Sequence, residues 1–591
     1  MKIMANTLVP NNSKNDVATY DILIDGNALD PSFQLLSLSV AKESNRMPVA
    51  KIVFRDGDAA EKTFALSNNA AFVPGKKITI NIGRDTTNKQ VFKGMIITHA
   101  IKVKTSGSSE LHIECRDEAV SMGVGRHSKY YTQLTDADLF NQLINKYGLK
   151  VNAEATALVH KEIVQHHITD WDFLLLRAEA NGMLVNVSDG TINIAKPVTT
   201  ADPVLEVTFG ASIIEFEAEM DARSQYNSVK TASWDYKNQQ LFTADSSSTD
   251  LTEPGNISGS QLAQATQTAF EMHSSGYLQE QELQAWADGA FMRSRLSKIR
   301  GRAKVDGFNG IQPGDMLKLT GVGDRFNGNA FVTGVRHDVG QGLWETQVQF
   351  GLHPQYHVQL HNDIADVPNA GLAGPISGLQ IGKVVQLESD PEGEGRILVM
   401  VPTIDEDAQG IWTRVATLDA GADRGSFFMP EVNDEVIVGF INDDPRHPVL
   451  LGMLNSSANP APLTAQSDND KKGFTTRSKM HLSFDDGTKT ITIDTPAGNS
   501  ITLDEAGTKI EITDQNGNKV TMDSAGIKVE SPLAIEIKAG TNLTLSAAAS
   551  LSISAASVSI KADADVSMEG AIAKLSSQGI TEVTGSIVKI N

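Results

Sequence analysis

From about residue 480 onward the chain is built from short apolar–x–apolar triplets at a nearly fixed period. They are ITI (491–493), ITL (501–503), IEI (510–512), VTM (520–522), IKV (527–529), IEI (535–537), LTL (543–545), LSI (551–553), VSI (558–560) and VSM (566–568), and ITEV (580–583) and VKI (588–590) continue them. The early spacing is 9–10 residues, and from Ile527 to Val566 the steps are 8, 8, 8, 7 and 8. A short fixed period marks a β-helix or β-prism. Each triplet turns two side chains inward and one outward. Gly487, Gly498, Gly507, Gly517 and Gly526 fall between the early triplets, where a corner needs a permissive backbone. Later corners are Ala and Ser, as in SAAAS (546–550), and no Phe, Tyr or Trp follows Phe484. The interior is therefore narrow and aliphatic. Two apolar residues in eight cannot offset the ordering entropy of the other six in a lone chain. The octads thus point to chains wrapped round one another, most simply three.

Upstream, residues 19 to about 120 alternate apolar and polar side chains, as in KKITINI (76–82) and ELHIECR (110–116), the period of half-buried strands. Two helices follow. Thr135 with Asp138 has capping-box spacing, Leu139, Phe140, Leu143, Ile144 and Tyr147 repeat helically, and Gly148 marks the stop. Thr169, Asp172 and Gly182 frame the second helix in the same way. Residues 240–262 read as an exposed Ser/Thr/Gly/Asn-rich loop, with a further helix at 278–299. Residues 378–454 hold five short strands, a size that suits an OB-fold. The expected organisation is a hub region at 1–360, a linker at 361–377, an OB-fold at 378–456, a second linker at 457–479 and the shaft at 480–591.

Lys plus Arg is 51 and Asp plus Glu is 72, so the net charge is 51 − 72 = −21. Such a chain repels nucleic acid and anionic lipid. The single cysteine, Cys115, sits in an alternating strand and reads as a buried thiol. The N-terminus shows no apolar signal segment, and no run of 18 apolar residues exists. Candidate chemistry is thin. His160, His166 and His167 lack metal-site spacing and read as exposed strand and loop histidines. GVGRH (123–127) and GVGD (321–324) read as turns rather than phosphate loops, and DEDAQG (405–410) as a solvated loop. No catalytic motif, cofactor site or metal site is expected.

In this order, these modules resemble VgrG-type spikes of type VI secretion and extracellular contractile injection systems, themselves similar to the hub and puncturing spike of contractile phages. HITDWDFLLLRAEANGMLVNVSDGTINI (167–194) and NGIQPGDMLKLTGVGDRFNGNAFVTGVRHDVGQGLWETQVQF (309–350) carry the resemblance in the hub, and FFMPEVNDEVIVGFINDDPRHPVLLGML (427–454) carries it in the neck. The resemblance implies a mainly β fold with some α: β-barrel hub domains, an OB-fold neck and an intertwined trimeric β-helix. It implies a homotrimer docked on the hexameric ring of an inner tube. Other baseplate proteins surround it, and a PAAR-type tip protein sits at its far end. Assembly takes place in the bacterial cytoplasm, and the target membrane is pierced mechanically. The tip platform is expected at Ile587, Val588, Lys589, Ile590 and Asn591. The gap 455–479 is too short for an inserted enzyme, and no histidine follows His481 to hold a tip metal. A phage spike, a secreted β-helical polysaccharide-degrading enzyme and an adhesin are the alternatives. Larger coils and aromatic stacks would mark the enzyme, and a globular head would mark the adhesin.

Overall fold

The computed structural model describes residues 17–84, 87–105, 108–247, 251–266, 269–407 and 409–590. They form two compact units, residues up to 379 together with 439–449, and 380–438 together with 450 onward.

The first unit is organised by one thirteen-stranded sheet. Along its main path the strands run Ile213–Met220, Ile299–Asp306, Leu343–Phe350, Gly328–Gly340, Leu35–Glu43, Val49–Arg55, Glu110–Arg116, Thr87–Lys102, Lys77–Arg84, Ala18–Ile24 and Asn27–Ala28. Leu205–Thr208 joins through Met316–Thr320. The N- and C-terminal halves meet where Gly334 to Val339 pairs with Glu43 to Leu38. Two cores lie along the sheet. Leu38, Val40, Ile52, Phe54, Ile80 and Phe92 fill the first, with Cys115 fully buried among them. Leu205, Val207, Val305, Leu319, Val332 and Phe350 fill the second. Burial pushes the Cys115 thiol far above its usual range.

The helices are α1 (Asp136–Asn145), α2 (Asp170–Ala180), α3 (Gly259–Thr266), α4 (Glu280–Leu296) and a single turn, α5 (His357–Leu360). The two expected N-caps are present. The Asp138 N–H donates to Thr135 Oγ1 at 3.1 Å, and the Thr135 N–H donates back to Asp138 Oδ2 at 3.1 Å. The Asp172 N–H donates to Thr169 Oγ1 at 3.0 Å. Gly182 ends α2 at φ +67°, and a Cβ there would lie 2.8 Å from the Gly289 Cα of α4, so these helices cross at a glycine pair.

Three stretches differ from their sequence reading. Within 240–262, Gln240–Asp245 is a strand on Val229–Asp235, because Ala244 alternates into the core. The expected linker 361–377 is not a free connection at its start: Ile364 is buried in the α1–α2 core. Lys471–Thr475, read as linker, pairs with His481–Asp485.

In the second unit, Gln380–Gln386, Ile397–Met400, Ile411–Val415, Pro448–Met453 and Glu435–Phe440 close into a barrel. Val384, Ile397, Val399, Val436, Val438 and Leu450 fill it. Gly382 is required there, since a Cβ would fall 2.6 Å from Val399.

Beyond the barrel, seven strands from Lys471 to Glu530 form one antiparallel meander within a single chain. This corrects the expectation of intertwined rungs from residue 480. Up to Lys519–Asp523 the period of 9–10 residues leaves a five-residue strand and a turn of four or five, and the last reversal, from Asp523 to Gly526, is a two-residue hairpin turn. Gly498, Gly517 and Gly526 take φ +97°, +86° and +127°. Gly487 and Gly507 do not adopt positive φ; in those turns Lys489 and Thr508 do, at +52° and +49°. From 531 to 590 no residue lies in a strand paired within its own chain.

Candidate functional site

The meander places every triplet of residues 481–530 on one face. Cross-strand pairing stacks Leu482, Ile493, Ile501, Ile512, Val520 and Val529 in one column. It stacks Phe484, Ile491, Leu503, Ile510, Met522 and Ile527 in a second. The reverse face carries Ser483, Thr492, Thr502, Glu511, Thr521 and Lys528, with Glu511 between Lys509 at 3.4 Å and Lys519 at 2.8 Å. This is the alternation of a half-buried wall, yet the apolar side is uncovered: Ile493 is 47% exposed and Ile527 73%. A two-column aliphatic face of this extent marks an interaction surface.

The octads carry the same signature without a partner strand. Ile535, Ile553 and Ile560 are 55%, 65% and 65% exposed. Their backbone N–H and C=O groups have no ladder in their own chain. At the far end Ile587, Val588, Lys589 and Ile590 are all exposed, and Asn591 lies outside the described residues. At the barrel end, Phe428 stacks on Phe474 with ring centroids 5.3 Å apart, and Arg477 pairs with Glu431 at 2.9 Å.

The hub's charged side chains form closed clusters. Asp136 accepts from Arg177 Nε at 2.7 Å and Nη2 at 2.9 Å and from Asn181 at 2.9 Å, with His160 Nε2 at 3.0 Å. Burial alone would raise its pKa, but the hydrogen bonds of His160 and Arg177 hold it well below the carboxylate range. His160 is thus buried, not exposed as its sequence suggested. Among the described residues no group of three or more His, Cys, Asp or Glu is placed to hold a metal, and no helix is long and apolar enough to cross a membrane.

A second cluster fastens residues 353–366. Arg293, 6% exposed on α4, donates to His353 O at 3.1 Å and Gln355 O at 2.9 Å, pairs with Glu179 at 2.6 Å and lies 4.3 Å from the Tyr356 ring centroid. Glu179 also accepts the His357 N–H at 2.9 Å, and His357 Nε2 meets Asp172 at 2.9 Å. Arg126 donates to the carbonyls of Asp363 and Ile364, and His167 pairs with Asp366 at 2.7 Å. GVGRH is therefore a turn whose arginine clamps a strap.

A family model described as the Alg8 N-terminal domain matches residues 14–341, more than half of the chain. The chain belongs to this family. Behind the Alg8 N-terminal domain, the type VI secretion system/phage-baseplate injector OB domain matches residues 380–454, the closed barrel. The VgrG resemblance read from the sequence also holds. Spike protein VgrG1b of Pseudomonas aeruginosa is 25% identical over 218 residues, covering 34% of this chain and 29% of that protein. VgrG3 of Vibrio cholerae is 31% identical over 121 residues, covering 18% and 12%. The actin cross-linking toxin VgrG1 of Vibrio cholerae is 27% identical over 168 residues, covering 26% and 14%. The chain thus spans less than a third of the length of these relatives. Among solved structures, a tail protein from Neisseria meningitidis overlays with a TM-score of 0.43 at 15% identity, covering 57% of this chain and 96% of that one. A Francisella PdpA–VgrG complex overlays at 0.38 and 10% identity, covering 89% and 81%.

Proposed function

We propose that this chain is one protomer of a homotrimeric spike and hub in a contractile injection apparatus. The observation that carries the reading is the uncovered two-column face of residues 481–530, continued by octads with no strand partner in their own chain. Three copies cover that face and supply those partners. Family membership, the injector OB domain and the VgrG relatives support the same assignment.

On this reading the thirteen-stranded hub seats on the inner tube and meets other baseplate proteins. The octad shaft is driven through the target membrane from a particle assembled in the bacterial cytoplasm. The chain acts mechanically and catalyses no reaction: the buried carboxylates of Asp136 and Glu179 are committed to arginine partners. Ile587 to Asn591 form the platform for a PAAR-type tip protein, because Ile587, Val588 and Ile590 are exposed aliphatic side chains and such surfaces mark interaction sites.

Sedimentation or light scattering of the purified chain tests the assembly, with a trimer expected; a monomer at micromolar concentration refutes it. Deleting residues 587–591 is expected to abolish co-purification with the tip protein, and undiminished binding would place the platform elsewhere.

A further inference from the structure

The shaft contains two kinds of β structure, and they differ in what they can do before partners arrive. Residues 471–530 complete their hydrogen-bond ladder inside one chain. Neighbouring strands from His481–Asp485 to Gly526–Glu530 pair without a bulge. Such hairpin contacts are local and form quickly. Residues 533–590 make no strand pair within their own chain. On the trimer reading, their strand partners come from other copies.

The octads also carry little information about alignment. Their triplets are alike, corners such as SAAAS (546–550) and SAAS (554–557) are only Ser and Ala, and from Ile527 to Val566 the step is 7 or 8 residues. Sliding one chain by a whole repeat lays aliphatic against aliphatic again, and repetitive strands of this kind specify register weakly. Something outside the octads must fix it. The wall is continuous with them through Ser531 and Pro532, and its two columns end at Val529 and Ile527. Its last strand, Gly526–Glu530, is paired on one side only, by Lys519–Asp523, so its other edge is open to a neighbouring chain.

Resting on the trimer reading, we propose that the wall of residues 481–530 forms first within each chain and is the trimerisation nucleus. Its apolar face docks on the same face of two further copies, and this contact sets the register in which residues 533–590 then wind. A second copy is the occupant because the wall runs directly into a segment whose backbone has only other copies to pair with. Covering one apolar face with its equals about a threefold axis closes a prism, and closure leaves no face uncovered.

The test uses the full chain and two substitutions. Ile501→Asp places a carboxylate in the middle of the wall, against Ile493 and Ile512. Ile553→Asp places one in the octads. Mass is read by light scattering, and order along 531–590 by amide hydrogen exchange. Thr502→Asp, on the reverse face, is the control for a general effect of charge. The hub's near-UV circular dichroism reports that each variant is folded. Ile501→Asp is expected to lower the mass threefold and to abolish protection throughout 531–590. Ile553→Asp is expected to keep the trimer mass and lose protection only around and beyond its own rung. A trimeric Ile501→Asp chain with protected octads, or a monomeric Ile553→Asp chain, overturns the order of assembly while leaving the trimer intact as a reading. A monomeric wild-type chain instead overturns the trimer itself, and with it the choice of occupant.

Discussion

Replacing Arg293 with Met tests the strap most directly. The guanidinium is buried against Glu179, caps the carbonyls of His353 and Gln355 and covers the Tyr356 ring. Met keeps much of the volume and removes the charge. Stripping one partner from a buried ion pair costs about 3–5 kcal/mol, most of it from the charge left behind. The loss falls on Glu179, which also holds the His357 N–H. At 1.4 kcal/mol per decade, protection of the strap amides His357, Gln359 and His361 should drop by roughly two to four orders of magnitude in hydrogen exchange. Adding Glu179→Gln removes the stranded charge, so the double variant should recover about 1–3 kcal/mol relative to the sum of the singles. Strap amides protected to within about threefold of wild type would refute the reasoning.

Three further outcomes follow from the hub and neck. Burial, with Lys42 nearby, pulls the His337 imidazole down to about 3. The unfolded chain takes up that proton near pH 6.5, so hub stability should fall as pH drops from about 6.5 to 3, and His337→Phe should flatten that slope in denaturant titrations. Gly289→Ala sets a Cβ 2.8 Å from Gly182 and should destabilise the hub by about 1–3 kcal/mol in thermal unfolding. Phe428→Ala removes the stack on Phe474 and should cost about 0.5–1.5 kcal/mol beyond lost area, read as earlier exchange of the Lys471–Thr475 amides.

The parts of the fold legible in the sequence are those whose signal is local. Thr135 and Asp138, or the alternation of ELHIECR, state their geometry within a few residues. The octads, read as needing partners because two aliphatics in eight cannot make a core alone, make no strand pair within their own chain. The hidden parts depend on pairs far apart in the chain. Nothing near Arg293 announces Glu179, and His160 looked exposed because Asp136 and Arg177 meet it only through the fold. The early triplets were read as intertwined rungs because a triplet looks the same whether its neighbour is its own chain or another. The chain reverses even where the step shortens to 7, through the two-residue turn between Asp523 and Gly526, so spacing alone does not separate the two cases.

The meander has a mechanical consequence. Its strands lie crosswise to the direction in which they stack, so a push along the stack is borne by every hydrogen bond of a ladder at once. Seven strands at about 4.8 Å make a block roughly 29 Å deep that compresses as a unit. A pull on the chain at Glu530 acts otherwise: it peels Gly526–Glu530 from its neighbour one bond at a time, then the next strand, like a zipper opened from its end. The same wall is stiff under compression along its stack and yielding under a pull from its end.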